Sequence, residues 1–339
     1  MTALRFAIFG TGFWARFQLA AWRELAGVEC VALYNRTRAK AEALAREFGI
    51  PAVYDDPQEL LHRERVDFID VITSVDTHAQ FVGLAADHGI PVICQKPMAR
   101  SLAEAEAMVS RCRQAGVPLY VHENWRWQHP IREVKKVLTE GQVGSPFRGR
   151  ISFCSSFPVF DNQPFLAQLE QFILTDIGSH ILDVARFLFG EADLLCCRTQ
   201  RINRKIKGED VATVFMRMGG CTVLCEMSYA SRTEHERFPE TFISVEADNG
   251  SVELGPDYWL RVTTKVGTLS RHCPPPRYAW ADPAYDLVHS SIVPCNASLL
   301  DGLRGGPPPE TTGDDNLNTV RLVFAAYESA RTGDVVRIT

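Results

Sequence analysis

Residues 4–15 constrain this chain more than any other stretch. The apolar run Leu4–Phe9 passes directly into Gly10-Thr11-Gly12-Phe13-Trp14-Ala15, a G-x-G-x-x-A turn that opens a helix. In such a strand–turn–helix unit the first glycine permits a tight turn. The second lets the backbone approach a pyrophosphate, and a small third residue lets helix and strand pack closely. The phosphates would sit at the helix N-terminus, where unpaired N–H groups and the helix dipole favour an anion. Gly10, Gly12, Phe13 and Trp14 are therefore candidate cofactor residues.

The following hundred residues repeat the same alternation. Strands are expected at Leu4–Phe9, Val28–Tyr34, Phe68–Ile72, Pro91–Cys94 and Pro118–Val121, with amphipathic helices at Arg38–Glu47, Thr77–His88 and Ser101–Ala115. The last helix begins S-L-A-E, a capping box in form. Gly49, Gly89 and Gly116 fall where helices should stop, as C-terminal glycine caps do. This is the pattern of a parallel sheet covered by helices, and it defines a first domain over 1–125.

The texture then changes, so 126–339 reads as a second domain. A helix over Ile131–Glu140 leads to Gly144-Ser145-Pro146, and a helical block over Asp176–Phe189 precedes five strands: Val211–Met218, Cys221–Tyr229, Phe242–Ala247, Ser251–Leu254 and Trp259–Thr264. Gly219-Gly220 and Asn249-Gly250 are hairpin signals between them. The expected architecture is α/β in the first domain and α+β in the second, with an open, mostly antiparallel sheet. A Gly/Pro-rich loop (Arg304–Glu310) precedes a final helix, Asp314–Thr332, which is expected to pack back on the first domain.

Composition excludes several classes of function. The 339 residues are 46% hydrophobic and 23% charged with net charge −5, so the chain folds and offers no basic surface for nucleic acid. No apolar run approaches the ~18 residues of a membrane span. The N-terminal MTALRFAIFG lacks the segments of a signal peptide. The ten cysteines sit mostly in apolar runs, and no C-x-x-C occurs. Neither a disulfide framework nor a metal site is indicated, and the expected compartment is the cytoplasm.

A dinucleotide-binding second strand should end in an acid that holds the adenosine ribose. Here Asn35-Arg36-Thr37 stands in its place. Without a carboxylate nothing repels a 2′-phosphate, and Arg36 or Arg38 can pair with one. Asn35 can still bond a ribose hydroxyl and Arg36 can stack on adenine, so NAD and NADP both stay open.

Two more motifs follow: Ile93-Cys94-Gln95-Lys96-Pro97 at a strand end, and Thr175-Asp176-Ile177-Gly178-Ser179-His180 opening a helix. A dinucleotide turn, a strand-end Lys-Pro, a later D-x-G-x-H and a C-terminal run of strands, in this order, resemble the Gfo/Idh/MocA family of glucose–fructose oxidoreductase and inositol dehydrogenase type. The resemblance spans essentially the whole chain, including Thr312–Asn318. It implies a Rossmann domain, a nicotinamide cofactor, an open-faced sheet domain, and a homodimer or homotetramer built on that sheet. The family's E-K-P matches Gln95-Lys96-Pro97 with Gln for Glu, which alters the charge beside Lys96; the match implies that Gln95 and Lys96 meet the cofactor and that Lys96 positions both substrate and nicotinamide. Ser74-Val75-Asp76-Thr77-His78 matches a strand-end loop whose Ser74 and His78 would line the nicotinamide side. The segment His122-Glu123-Asn124-Trp125-Arg126-Trp127 is similar to that of a sugar-dehydrogenase branch.

Oxidising an alcohol carbon needs a base for the hydroxyl proton and a cation or donor for the oxygen. Asp176 and His180 stand at i and i+4, one face of a helix. His180 is then the candidate base, Asp176 the group that orients it, and Lys96 the cation at the developing alkoxide. Candidate substrate contacts are Lys96, His122, Asn124, Arg126, Asp161, Gln163, Asp176 and His180. The expected substrate is a small sugar or polyol, for example an aldose taken to its aldonolactone. Two rivals from other classes are a cofactor-binding regulator without turnover and a redox-assisted glycosidase. Each residue also has a bland reading: a packed strand-end His122, an Arg126 that stacks on its neighbouring tryptophans, and an exposed polar loop over 161–163.

Overall fold

A computed structural model describes residues 3–338; Met1, Thr2 and Thr339 lie outside the described residues. The described chain divides into two units. One takes the residues up to Glu123 together with Ala279–Ala281 and Ile292–Val320; the other takes Asn124–Tyr278, Asp282–Ser291 and the residues from Arg321 onward.

In the first unit the described residues form a parallel sheet of six strands: β1 (Leu4–Phe9), β2 (Val28–Tyr34), β3 (Ala52–Tyr54), β4 (Phe68–Val71), β5 (Val92–Gln95) and β6 (Leu119–His122). The order β3-β2-β1-β4-β5-β6 reverses at β1, the switch point where open α/β sheets bind ligands. Helices α1 (Phe13–Arg23), α2 (Arg38–Phe48), α3 (Pro57–Arg63), α4 (His78–Asp87) and α5 (Leu102–Ala115) make the crossovers. Phe6 and Phe68 stack with centroids 4.8 Å apart under Trp22, and all three are fully buried. Ser101 Oγ caps α5 by accepting the Glu104 N–H, and Gly49, Gly89 and Gly116 all take positive φ. β3 and α3 are additions to the expected elements; β3 spans three half-buried residues, too few for a periodic signal.

Late segments complete this unit. Trp280 packs with Trp14 against Phe17, Ala21 and Ile292, and its Nε1 donates to Glu24. The Arg304 guanidinium donates to the carbonyls of Ala26 and Gly27, and Val121 N–H bonds Thr311 O. Ile292 and Arg304 flank the C-terminal part of a helix that the sequence reading lacked. An internal Pro294 and the polar Ser290, Ser291 and Asn296 hide its periodicity.

In the second unit helix α6 (His129–Thr139) is followed by a mixed sheet of nine strands among the described residues. They are β7 (Pro146–Cys154), β8 (Ala192–Gln200), β9 (Val211–Met218), β10 (Cys221–Ser228), β11 (Phe242–Ala247), β12 (Gly250–Leu254), β13 (Trp259–Thr264), β14 (Gly267–His272) and β15 (Val336–Arg337). Their order is β14-β13-β12-β11-β7-β10-β9-β8-β15. All neighbours pair antiparallel except β7 and β10. β7 thus divides the run of strands that the sequence suggested was continuous. Its outer face carries Arg148 and Arg150, paired across the sheet with Glu246 at 2.7 Å and Glu226 at 2.6 Å. These charges replace the apolar alternation by which strands are recognised. Helices α7 (Val159–Asn162), α8 (Ser179–Phe189), α9 (Asp286–Leu303) and α10 (Gly313–Thr332) complete the described elements; α9 and α10 each begin in one unit and end in the other.

Candidate active site

The glycine turn is set by a close approach of two backbones. Gly10 has φ +101°, its N–H bonds Tyr34 O at 2.8 Å, and a Cβ there would lie 2.5 Å from Ile72 O. Only glycine meets both demands. Gly12 precedes α1 in an extended conformation, and a Cβ there would meet no atom within 4 Å. Open space in front of a helix N-terminus is the cradle a pyrophosphate needs. The Thr11 hydroxyl is buried with no partner among the described residues. These features fit a dinucleotide. Ala15 is fully buried, while Phe13 is 44% exposed and Trp14 half-buried.

Asn35 has a structural task. Its Oδ1 accepts the Thr11 N–H at 3.2 Å and its Nδ2 donates to Thr37 O at 3.0 Å, tying the glycine turn to the end of β2. Arg38 is paired with Glu42 at 3.0 Å, and Asp55 lies 3.8 Å away. Arg36 is exposed and is the guanidinium nearest in sequence to the position of the missing acid.

Ser74 is exposed just beyond β4, and its carbonyl accepts the Thr77 hydroxyl. His78, expected on the nicotinamide side, is engaged within the protein. Its ring is 1% exposed, with Nδ1 3.1 Å from Pro97 O and Nε2 3.1 Å from Thr73 O. It ties the loop after β4 to the segment that follows Lys96, and burial lowers its pKa. Lys96 itself is half-buried at the end of β5.

Beneath Lys96 runs a buried chain of polar side chains that the sequence reading did not find as a unit. Asp70 accepts from Trp22 Nε1 at 2.8 Å and from Gln18 Nε2 at 2.8 and 2.9 Å. Gln18 Oε1 accepts from Gln95 Nε2 at 2.7 Å, and Gln95 Nε2 lies 3.1 Å from His122 Nδ1. Gln95 Oε1 accepts the Lys96 N–H at 3.0 Å, and His122 Nε2 lies 3.0 Å from Asn296 Oδ1. His122, expected in the substrate wall, is instead fully buried with both ring nitrogens engaged. The sign of this chain was a lone acid, Asp70, within the apolar run Phe68–Ile72.

In the second unit Asp176 lies on a π turn, Leu174–Gly178, and His180 in the first turn of α8. The two therefore do not share one regular α-helix, as their spacing suggested. His180 is buried and its imidazole stacks on Trp125, centroids 4.2 Å apart at 23°. Asp176 is half-buried, and the Tyr229 phenol hydrogen-bonds it; burial and that carboxylate push the Tyr229 pKa well above its usual range. The π turn is held by Glu209, which accepts the Phe172 N–H at 3.1 Å and the Tyr327 hydroxyl at 2.8 Å; Tyr327 in turn lies 3.0 Å from Thr175 Oγ1. Tyr229, Glu209 and Tyr327 stand far from the D-x-G-x-H motif in sequence, and no local signal marks them.

Two further expected substrate contacts are engaged within the protein. Arg126 is 5% exposed and forked onto Asp183 at 2.7 and 2.6 Å, with its guanidinium over Phe187. Asn124 Nδ2 donates to Val288 O and Ser291 Oγ. Asp161 is exposed on α7 and Gln163 half-buried before a 3-10 turn, so the segment is short helix rather than loop; the Asn162 side chain lies outside the described ones. Among the described residues no group of three His, Cys, Asp or Glu side chains is placed to hold a metal, no disulfide joins the cysteines, and no helix is long and apolar enough to cross a membrane.

A parallel sheet with this glycine turn is a dinucleotide-binding fold, and comparison with known proteins gives its family. Residues 4–123 match a model of an oxidoreductase family with an NAD-binding Rossmann fold, and residues 131–253 match the GFO/IDH/MocA C-terminal domain. A D-apiose dehydrogenase of Paraburkholderia graminis is 44% identical over 98% of this chain and 89% of its own length. One from Rhizobium rhizogenes is 42% identical over 100% and 98%. The crystal structure of an oxidoreductase from Agrobacterium radiobacter in complex with NAD+, L-tartaric acid and magnesium superposes with a TM-score of 0.98 at 42% identity, covering 99% of this chain and 98% of that one. The chain belongs to the Gfo/Idh/MocA family. It is an NAD-binding dehydrogenase of the hydroxyls of small sugars or polyols.

The glycine turn and the buried acid each lend themselves to measurement. In Gly12→Val the side chain enters space that holds no protein atom, so the fold should survive with the loss of about 1 kcal/mol at most from a poorer cap. NAD+ affinity measured by calorimetry should fall by at least about tenfold. Unchanged affinity would move the pyrophosphate away from this turn. For Asp70, burial raises the pKa from 3.8 to about 7 against the pull of the Trp22 and Gln18 hydrogen bonds. Between those two values the unfolded chain has released a proton that the folded protein keeps. The contribution of Asp70 to stability is thus fully present below the lower value and lost as pH rises through the upper one. Urea denaturation at pH 5 and pH 8 should show a steeper alkaline loss for the native sequence than for Asp70→Asn; parallel curves would mean that Asp70 ionises as readily folded as unfolded.

Proposed function

We propose that the protein oxidises the anomeric hydroxyl of a pentose, D-apiose foremost, to the corresponding aldonolactone. The observation that carries the reading is the full-length identity, above 40%, to two D-apiose dehydrogenases. The residues present are suited to this chemistry. Bound NAD supplies the hydride acceptor. His180, its imidazole plane fixed against Trp125, takes the hydroxyl proton. Asp176, itself held by Tyr229, orients the imidazole and stabilises its charged form. Lys96 places a cation where negative charge develops on the oxygen.

Cofactor binding is assigned to residues 1–125 and substrate binding chiefly to 126–339. NADP is accepted alongside NAD, because no carboxylate at position 35 repels a 2′-phosphate and Arg36 is exposed to meet it. The compartment is the cytoplasm, in keeping with ten cysteines that form no disulfide. A second copy of the chain covers the outer sheet face in a homodimer or homotetramer, where Phe215 is 43% and Trp259 37% exposed.

Pentoses, hexoses and polyols offered with NAD+ and NADP+ should give the highest kcat/KM for D-apiose, read as absorbance at 340 nm. With that sugar, His180→Ala should lower kcat by about 10²–10⁴ and remove the acid limb of the pH–rate profile, leaving NAD+ affinity intact. Lys96→Met should damage both kcat and sugar KM, because a cation acts on ground-state hydroxyls as well as on the transition state. Full activity in His180→Ala would remove it as the base, and no turnover of any pentose would overturn the substrate.

A further inference from the structure

The buried chain beneath Lys96 has a direction, and that direction leaves little freedom. Its two fixed ends are donors: Trp22 Nε1–H at one and the Lys96 backbone N–H at the other. A donor at each end requires an acceptor facing it. Asp70 supplies two acceptor oxygens and no donor when ionised, so Gln18 must turn its amide nitrogen toward Asp70 and its oxygen toward Gln95. Gln95 must then present its nitrogen to Gln18 and His122 and its oxygen to Lys96. His122 Nδ1 becomes an acceptor, which leaves the proton on Nε2, facing Asn296 Oδ1. One carboxylate therefore sets the orientation of two amides and one tautomer.

We propose that Asp70, Gln18, Gln95 and His122 act as positioning residues for Lys96, a single polarised hydrogen-bond chain in which the Asp70 carboxylate fixes the amide that holds the Lys96 backbone. This deepens the preceding reading and rests on Lys96 acting at the reacting hydroxyl. The chain is buried throughout: Gln18, Asp70, His122 and Asn296 are fully buried, and Gln95 is 7% exposed. A misdirected link cannot be repaired by solvent, and it leaves two like groups facing each other in a low-dielectric interior.

The consequences of substitution follow by counting donors. In Gln95→Glu the new carboxylate accepts from Lys96 but faces Gln18 Oε1 and the His122 Nδ1 lone pair. Turning Gln18 over moves the conflict to Asp70. In Asp70→Asn an amide nitrogen faces that of Gln18, and each flip passes the clash along until it reaches the Lys96 N–H. The two substitutions together remove the conflict. The amide introduced at position 70 can accept from Trp22 and donate to a flipped Gln18, and Gln18 then donates to the carboxylate introduced at position 95. His122 donates from Nδ1 to that carboxylate, while a flipped Asn296 donates to its Nε2. Asn296 Nδ2 has no partner among the described residues, so it is available for that role.

The test is a double-mutant cycle on the full-length protein at pH 8, with Gln95→Glu, Asp70→Asn and their combination. For each protein kcat and KM with the best sugar, NAD+ affinity by fluorescence titration, and the thermal midpoint are measured. Each single variant should lose about tenfold or more in kcat, the scale of a misplaced catalytic group, while NAD+ affinity changes little. The combined variant should return to within about threefold of the native kcat and recover thermal midpoint. If a single variant does not fold, the combined variant decides alone: folded and active supports the chain, unfolded or inactive overturns it. Native kcat in Gln95→Glu, or a combined loss equal to the product of the single losses, also overturns it. Losses shared equally between NAD+ affinity and kcat would reduce the chain to a structural one and overturn the positioning role. Lys96→Met is run beside the cycle. Native turnover there overturns the role given to Lys96 and this proposal with it, whereas an inactive Lys96→Met beside an uncoupled cycle overturns the chain alone.

Discussion

The first unit depends on how it satisfies a carboxylate that burial would otherwise make costly. Asp70 sits in the central strand β4 with no solvent access, and an uncompensated ion there would be strongly destabilising. Trp22 and Gln18 of α1 compensate it, and the links onward through Gln95 of β5 to His122 of β6 bind the sheet's second half to the cofactor helix. The same helix begins at the glycine turn. The helix that opens at the glycine turn and the strand end that carries Lys96 are thus joined through the core, not only through the backbone.

The second unit prepares its groups differently, by rings and ion pairs. Trp125 holds the His180 imidazole by its face, and one residue later Arg126 is forked onto Asp183, one turn further along α8. The Trp125 Nε1 donates to Thr241 at 3.0 Å, which anchors the stack to the segment entering β11. Asp176 is displaced from the regular helix by a π turn, a feature common at functional sites because it alters where one side chain points. In the proposed reaction, a His180 ring stacked on Trp125 and an Asp176 carboxylate held by Tyr229 would need less reorganisation when a substrate arrives.

Much of this was legible in the sequence where local patterns are strong. Gly10, the strand Leu4–Phe9 and the capping glycines 49 and 116 declare themselves, because backbone geometry at those points admits few residue types. The order of motifs was enough to reach the family. What escaped was built by distant partners. β7 looked polar because Arg148 and Arg150 meet Glu246 and Glu226 only in the folded sheet. His122, Asn124 and Arg126 were expected to contact substrate because they stand where the resembled family has its Arg–aromatic segment after the last Rossmann strand. Each is instead matched by a residue 57 to 174 positions away, Asp183 for Arg126 and Asn296 for His122 among them. No pattern within one window of sequence could distinguish a satisfied buried polar group from an exposed one awaiting substrate.

Everything proposed for Lys96 and His180 presupposes that a hydride passes directly from a sugar carbon to the nicotinamide. The most direct measurement uses D-apiose deuterated at C1, with NAD+ and the native protein, and analyses the reduced cofactor by mass spectrometry. Direct transfer predicts one deuterium per NADH formed, with the sugar recovered as its lactone or the acid from lactone hydrolysis. Unlabelled NADH, or a sugar returned with its carbon still reduced and no net NADH, would contradict it.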